Sequence, residues 1–138
     1  MKKIKQNELY DVYELDLVGS HKDRKLAINI NRLKNNIKGD VHIMIMNPNS
    51  KAGNHYHKYT SEFYVNPGPG LLNLYLKKEG RSNVISLSMQ PISMNKMLVY
   101  KVHNFVSHLV ENPNKSDNLL LFILDEDNPD DTFILDVL

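Results

Sequence analysis

A period of two, interrupted every few residues by turn-forming side chains, constrains this chain more than any other feature. From Val12 to Val18, Tyr13, Leu15 and Leu17 alternate with Glu14 and Asp16, the signature of a strand with one wet face. Leu26, Ile28 and Ile30 repeat the pattern, and strands are predicted again at Val41 to Met46, Leu71 to Leu76, Val84 to Leu87, Met97 to Val102, Ser107 to Glu111 and Phe133 to Val137. Asn47-Pro48-Asn49-Ser50, Asn66-Pro67-Gly68-Pro69-Gly70, Lys78-Glu79-Gly80-Arg81, Pro91 to Lys96 and Asn112 to Asn118 separate them with turn chemistry. Arg32 to Gly39 reads as a loop or a single helical turn, and no helical period persists over three turns. Many short strands with frequent turns predict an all-β sandwich or barrel.

One stretch carries chemistry. In Gly53-Asn54-His55-Tyr56-His57-Lys58-Tyr59-Thr60-Ser61-Glu62, strand alternation sends His55 and His57 to one face and Tyr56 to the other. Lys58 to Ser61 suffice for a tight reversal, after which Phe63-Tyr64-Val65 reads as an antiparallel return strand that brings Glu62 back over the imidazoles. Neutral imidazole with carboxylate oxygen suits a divalent transition metal, zinc foremost, with iron, nickel or manganese as alternatives. His108, on another predicted strand, is the candidate fourth ligand. Met44 and Met46 read as core fillers.

With 138 residues the chain fits one domain, 1–138, that buries a core without disulfides, and it has no cysteine. Thiolate ligands are thereby excluded, and a reducing cytoplasm is compatible. Lysine and arginine number 17 against 16 acidic residues, so no electrostatic reason exists to expect nucleic acid or an anionic membrane as partner. The basic start, Met1 to Glu8, lacks the apolar segment of a signal peptide, and the longest apolar run, Leu119 to Leu124, is too short to span a bilayer as a helix. A soluble, cytoplasmic protein with a small-molecule partner is expected. The acidic turn Asp125 to Asp131 lacks the spaced ligands and glycine of an EF-hand.

An all-β chain with His-x-His-x-x-x-x-Glu some distance before His-x-x-x-Asn resembles the cupin superfamily, whose fold is a double-stranded β-helix, or jelly-roll barrel. The resemblance implies a metal held by His55, His57, Glu62 and His108. Cupins usually carry a Pro-x-Gly turn before the last histidine. Here Asn104 to Val106 stand there, with Phe105 where glycine belongs, so His103 is the alternative fourth ligand. A narrower resemblance, through Gly53 to Lys58, Glu62 to Val65 and Asp127 to Phe133, is to cupin domains of capsular and surface polysaccharide biosynthesis that act on nucleotide-linked 4-keto sugars. It implies a metal-dependent epimerase or isomerase, a nucleotide-sugar substrate and a homodimer paired through sheet edges. In related ketoisomerases paired histidines act as acid and base without metal, a role open to His55 and His57.

Moving a proton beside a ketone needs a group that polarises the carbonyl and one that carries the proton. Tyr64, which shares strand parity with Glu62, and His103 are the candidates for the second task. Lys58, Lys101 and Arg81 are the cations available for a diphosphate. The alternatives are a non-catalytic cupin that binds a sugar or other small molecule and an iron-dependent dioxygenase.

Overall fold

A computed structural model describes residues 1–16, 19–20, 25–26, 37–92, 96–126, 128 and 130–138, and among these there is no helix. The strands are β1 (Lys2–Gln6), β2 (Tyr10–Asp16), β3 (Gly19–Ser20), β4 (Lys25–Leu26), β5 (Val41–Met46), β6 (Ser50–Tyr56) and β7 (Glu62–Gly68). They continue with β8 (Leu72–Lys78), β9 (Ile85–Met89), β10 (Lys96–Val102), β11 (Val106–Asn112), β12 (Asn118–Leu124) and β13 (Phe133–Ile134). Two antiparallel sheets face each other, a six-stranded one in the order β1-β2-β10-β7-β12-β5 and a five-stranded one in the order β13-β6-β11-β8-β9. This is the all-β architecture expected from the alternation, in the jelly-roll form that the resemblance to cupins implies.

The space between the sheets is filled by the inward residues of both. Tyr10, Val12, Tyr64, Tyr100, Val102 and Leu120 of one sheet meet Leu72, Leu74, Leu76, Met89, Val106 and Val110 of the other. Strands β7, β10 and β12 are apolar on their outer face too, where Phe63, Val65, Met97, Val99, Leu121 and Ile123 form a second buried cluster with Leu15 and Ile37. Burial on both faces explains why Phe63-Tyr64-Val65 and Leu119 to Leu124 run apolar without alternation.

Several expectations change. β6 and β7 are not a hairpin: β6 pairs with β11 and β13, whereas β7 pairs with β10 and β12, so residues 58–61 carry the chain from one sheet to the other. Glu62 therefore reaches the imidazoles across the barrel interior. β7 runs through Asn66 and Pro67 to Gly68, and the last strand ends at Ile134. The N-terminal strand β1 escaped prediction because Lys2, Lys3 and Lys5 suit an exposed edge rather than an alternating face. The hairpin at Lys78 to Arg81 is present, with the Arg81 amide donating to the Lys78 carbonyl. Most of the strand predicted at Leu26 to Ile30 and of the loop at Arg32 to Gly39 lies outside the described residues.

One end of the barrel is tied by asparagines. Asn66 Nδ2 donates to the carbonyls of Gly70 and Met89, Asn118 Nδ2 donates to Asn66 Oδ1 at 2.9 Å, and the Gly70 amide donates to Asn118 Oδ1 at 2.6 Å. Asn112 Nδ2 donates to the carbonyls of Met46, Asn47 and Ser116. These buried amides replace the partners that strand ends would otherwise leave unmet.

Candidate metal centre

The other end of the barrel gathers the polar side chains. His108 enters from β11 between the inward Val106 and Val110, and Glu62 enters from the first position of β7, flanked by Val102 and Leu124 of the adjacent strands. His55 comes from the end of β6 and His57 from just beyond it. One ligand atom from each of the four lies within 4.8 Å of the others. His57, Glu62 and His108 are buried and His55 is partly buried.

A β-bulge aims His55. His108 pairs with His55, yet Leu109 pairs with Gly53, so β6 holds one residue more than β11 at this point. Gly53 and Asn54 absorb it with φ of 125° and 64°. Ala52 and His55 both line the cavity although three positions separate them. Unbroken alternation from Ala52 would have turned His55 outward. The Asn54 carbonyl and Oδ1 accept from the amides of Leu135 and Val137, which ties the C-terminal segment to the bulge.

The hydrogen bonds assign the tautomers. His57 Nδ1 lies 2.5 Å from the Asp131 carbonyl and His108 Nδ1 lies 3.2 Å from the Val106 carbonyl. A carbonyl only accepts, so in both rings Nδ1 is the donor and Nε2 is left to present a lone pair. These two Nε2 atoms face Glu62 Oε2 at 3.3 Å and 2.8 Å. His108 Nε2 is buried and has no partner with hydrogen-bond geometry. Electron-rich atoms converging in a buried space demand a cation among them, a proton or a metal ion. The donor set thus fits a metal ion, with second partners already holding two of its imidazoles.

The ionisation tendencies agree. Burial, reinforced by the neighbouring His108, lowers the His55 pKa from 6.5 to about 4, so this ring is neutral. Burial also opposes charge on His57, but Glu62 and the Asp131 carbonyl outweigh it and raise its pKa. Burial likewise opposes charge on Glu62, yet His108 and His57 hold its carboxyl well below the usual carboxylate range. Burial, followed by the Glu62 charge and its hydrogen bond, pushes the Tyr64 phenol well above 10.0.

A cavity of about 230 Å³ opens beside the cluster, lined by the polar His55, His57, Glu62 and Tyr64 and by an apolar wall of Met44, Leu120, Phe122 and Leu124. Met44, expected in the core, thus forms part of this wall. Thr132 also lines the cavity, and His42 stacks on Phe122 with ring centroids 4.8 Å apart. No sequence signal singled out Phe122 or His42, whose position depends on which strands share an edge.

His103 is placed elsewhere. Its Nε2 lies 3.2 Å from Asp11 Oδ1 and its Nδ1 3.1 Å from the Glu8 carbonyl, so it fastens the end of β10 to the N-terminal strands. The three cations expected near a diphosphate do not line the cavity either. Lys58 lies over the Phe133 ring, Lys101 over the Phe63 ring, and Arg81 pairs with Glu8.

The sequence matches no protein-family profile and no curated protein. Solved structures do match. The capsular polysaccharide assembling protein CapF from Staphylococcus aureus superposes with a TM-score of 0.65 at 21% identity over 73% of this chain and 28% of its own. QdtA, a sugar 3,4-ketoisomerase from Thermoanaerobacterium thermosaccharolyticum solved with TDP, gives 0.63 at 16% identity over 88% and 86%. The Mycobacterium tuberculosis rmlC epimerase gives 0.68 at 9% identity over 97% and 72%. The chain spans less than a third of the matched CapF chain. At these identities the likeness establishes architecture, and the architecture is the cupin-type double-stranded β-helix.

Proposed function

We propose that this chain is a metal-dependent cupin that epimerises or isomerises a nucleotide-linked 4-keto sugar in surface polysaccharide biosynthesis, working in the cytoplasm as a homodimer. The observation that carries the reading is the convergence of the His57 and His108 Nε2 atoms on the buried Glu62 carboxylate beside a cavity. His55, His57, Glu62 and His108 would hold a divalent metal, zinc foremost, as a Lewis acid that polarises the substrate carbonyl. Tyr64 stays a neutral phenol at pH 7 and can donate its proton to the oxygen or carbon that gains charge. The apolar wall of Met44, Leu120, Phe122 and Leu124 excludes water and packs against the carbon face of a sugar ring. About 230 Å³ takes one sugar ring, so the nucleotide would extend through the mouth. The structural likeness to a TDP-bound ketoisomerase and to CapF supports the substrate class.

A second reading, a sugar-binding cupin without catalysis, is favoured by the composition of the cavity. Apart from His55, His57 and Glu62, the described residues that line it offer only Tyr64 and Thr132 as polar side chains. Incubation of the zinc-loaded protein with TDP-4-keto-6-deoxyglucose, the sugar held by a QdtA variant, in deuterium oxide separates the two. An enzyme washes deuterium in beside the ketone and stops when the metal is chelated. Absence of exchange with metal bound would leave the binding module. Elemental analysis finding iron alone would favour the dioxygenase.

A further inference from the structure

We propose that Asp131 is a positioning residue for the metal centre: its backbone carbonyl selects the His57 tautomer, and its buried side chain holds that carbonyl in place by gripping the turn after His57. Asp131 is fully buried at 0% exposure although its chain neighbours Asp130 and Thr132 are open to solvent. Its Oδ1 accepts from the Lys58 amide at 2.7 Å, and its Oδ2 accepts from the Tyr59 amide at 2.9 Å and from Thr60 Oγ1 at 3.1 Å. Its own amide donates to the Asn128 carbonyl. The main-chain carbonyl of the same residue is the acceptor for His57 Nδ1.

One residue therefore fixes both the segment that follows His57 and the ring of His57. Residues 58–61 are the crossing between the sheets, so their path sets how His57 and Glu62 approach each other. With the carboxylate removed, two backbone amides and a hydroxyl lose their buried acceptor, and the turn must reorganise to find water. The carbonyl moves with it. His57 is then free to carry its proton on Nε2, which occupies the lone pair that a cation needs. Phe133 and Ile134, paired with Tyr56 and His55, continue the same bracing along β6.

The part concerning metal affinity rests on the reading of His57 as a ligand, whereas the tautomer stands without it. The test uses the full chain labelled with ¹⁵N-histidine, in the metal-free state at alkaline pH, where imidazoles are neutral. Long-range ¹H–¹⁵N correlations should show His57 protonated on Nδ1 in the parent protein and a mixture of tautomers in Asp131→Ala. Zinc affinity should drop roughly 10–100-fold in Asp131→Ala. Thr60→Val, which removes a single contact to Oδ2 and leaves the rest, should shift both readouts in the same direction by less, and it serves if Asp131→Ala does not fold. Tyr75→Phe, which removes a hydroxyl bond to Glu111 on the outer face, should shift neither. A parent His57 protonated on Nε2 would overturn the proposal, as would unchanged tautomers in the variants. If the parent binds no zinc, the functional reading fails while the tautomer data still decide this one.

Discussion

Gly53 lies so close under the backbone of His108 that a methyl group in place of its hydrogen would stand 2.4 Å from the His108 carbonyl oxygen. The glycine is also at φ 125°, where a side chain is strained whatever the space. Gly53→Ala should therefore disturb the bulge that brings His55 opposite His108. We expect a stability loss of about 1–3 kcal/mol in urea unfolding, together with weaker zinc binding by titration. Unchanged zinc affinity would show that the bulge does not set the site.

Glu62 supplies the negative charge on which the two Nε2 lone pairs converge. Glu62→Gln keeps the shape and removes the charge. Zinc affinity should drop by more than about 100-fold, because losing a group that merely supports a ligand already costs about 10–100-fold. Competition with a chromophoric chelator measures it.

The depressed pKa of His55 couples the site to pH. Below its ordinary 6.5 the unfolded ring takes a proton that the folded ring refuses until about 4. In that window the unfolded state binds more protons, so stability falls as pH falls. His57, shifted upward, works in the opposite sense near and above 6.5, where the folded ring keeps a proton that the unfolded ring gives up, and this contribution is common to the two proteins compared. With metal chelated, the urea midpoint of the parent should drop more steeply than that of His55→Gln on going from about pH 7 to about pH 4.5. Equal slopes would contradict the assignment.

Tyr64→Phe retains the ring and removes the proton. If Tyr64 is the acid, turnover of the keto sugar should fall by about 10²–10⁴-fold while bound zinc stays constant. A loss in affinity for the sugar with no loss in the maximal rate would assign Tyr64 to binding instead.

At the far end, Asn118→Ala removes a donor to Asn66 and an acceptor for the Gly70 amide. The expected cost is about 1–3 kcal/mol, with zinc stoichiometry unchanged. Loss of zinc in this variant would mean that the two ends are coupled.

Much of the fold was legible because alternation reports which residues share a face. Tyr13 and Leu15, alternating with Glu14 and Asp16, signalled β2, although Tyr10 and Val12 are the residues it turns inward, and Lys78 to Arg81 signalled the hairpin between β8 and β9. What alternation cannot report is pairing, so β6 and β7 read as neighbours when they belong to opposite sheets. The residues His55, His57, Glu62 and His108 stood out by chemistry, and the structure brings them together. The bulge at Gly53 and Asn54 was hidden because an extra residue is defined only against a partner strand. Asp131 looked like any other acid in a charged turn, since burial of a single carboxylate depends on contacts some seventy residues away along the chain. Phe105 is instructive in another way. It occupies the place of a glycine and takes the conformation of one, with φ 62°, and its amide donates to the His57 carbonyl. The left-handed backbone is present without the residue that most readily permits it.

The asparagine clasp has a consequence for how the barrel lives with its site. Because the end remote from the histidines is closed by amides that answer one another, folding has an anchor that owes nothing to an ion. The ties at this end are made by the chain's own amides alone, so closing the barrel there asks nothing of whatever the opposite end does or does not hold.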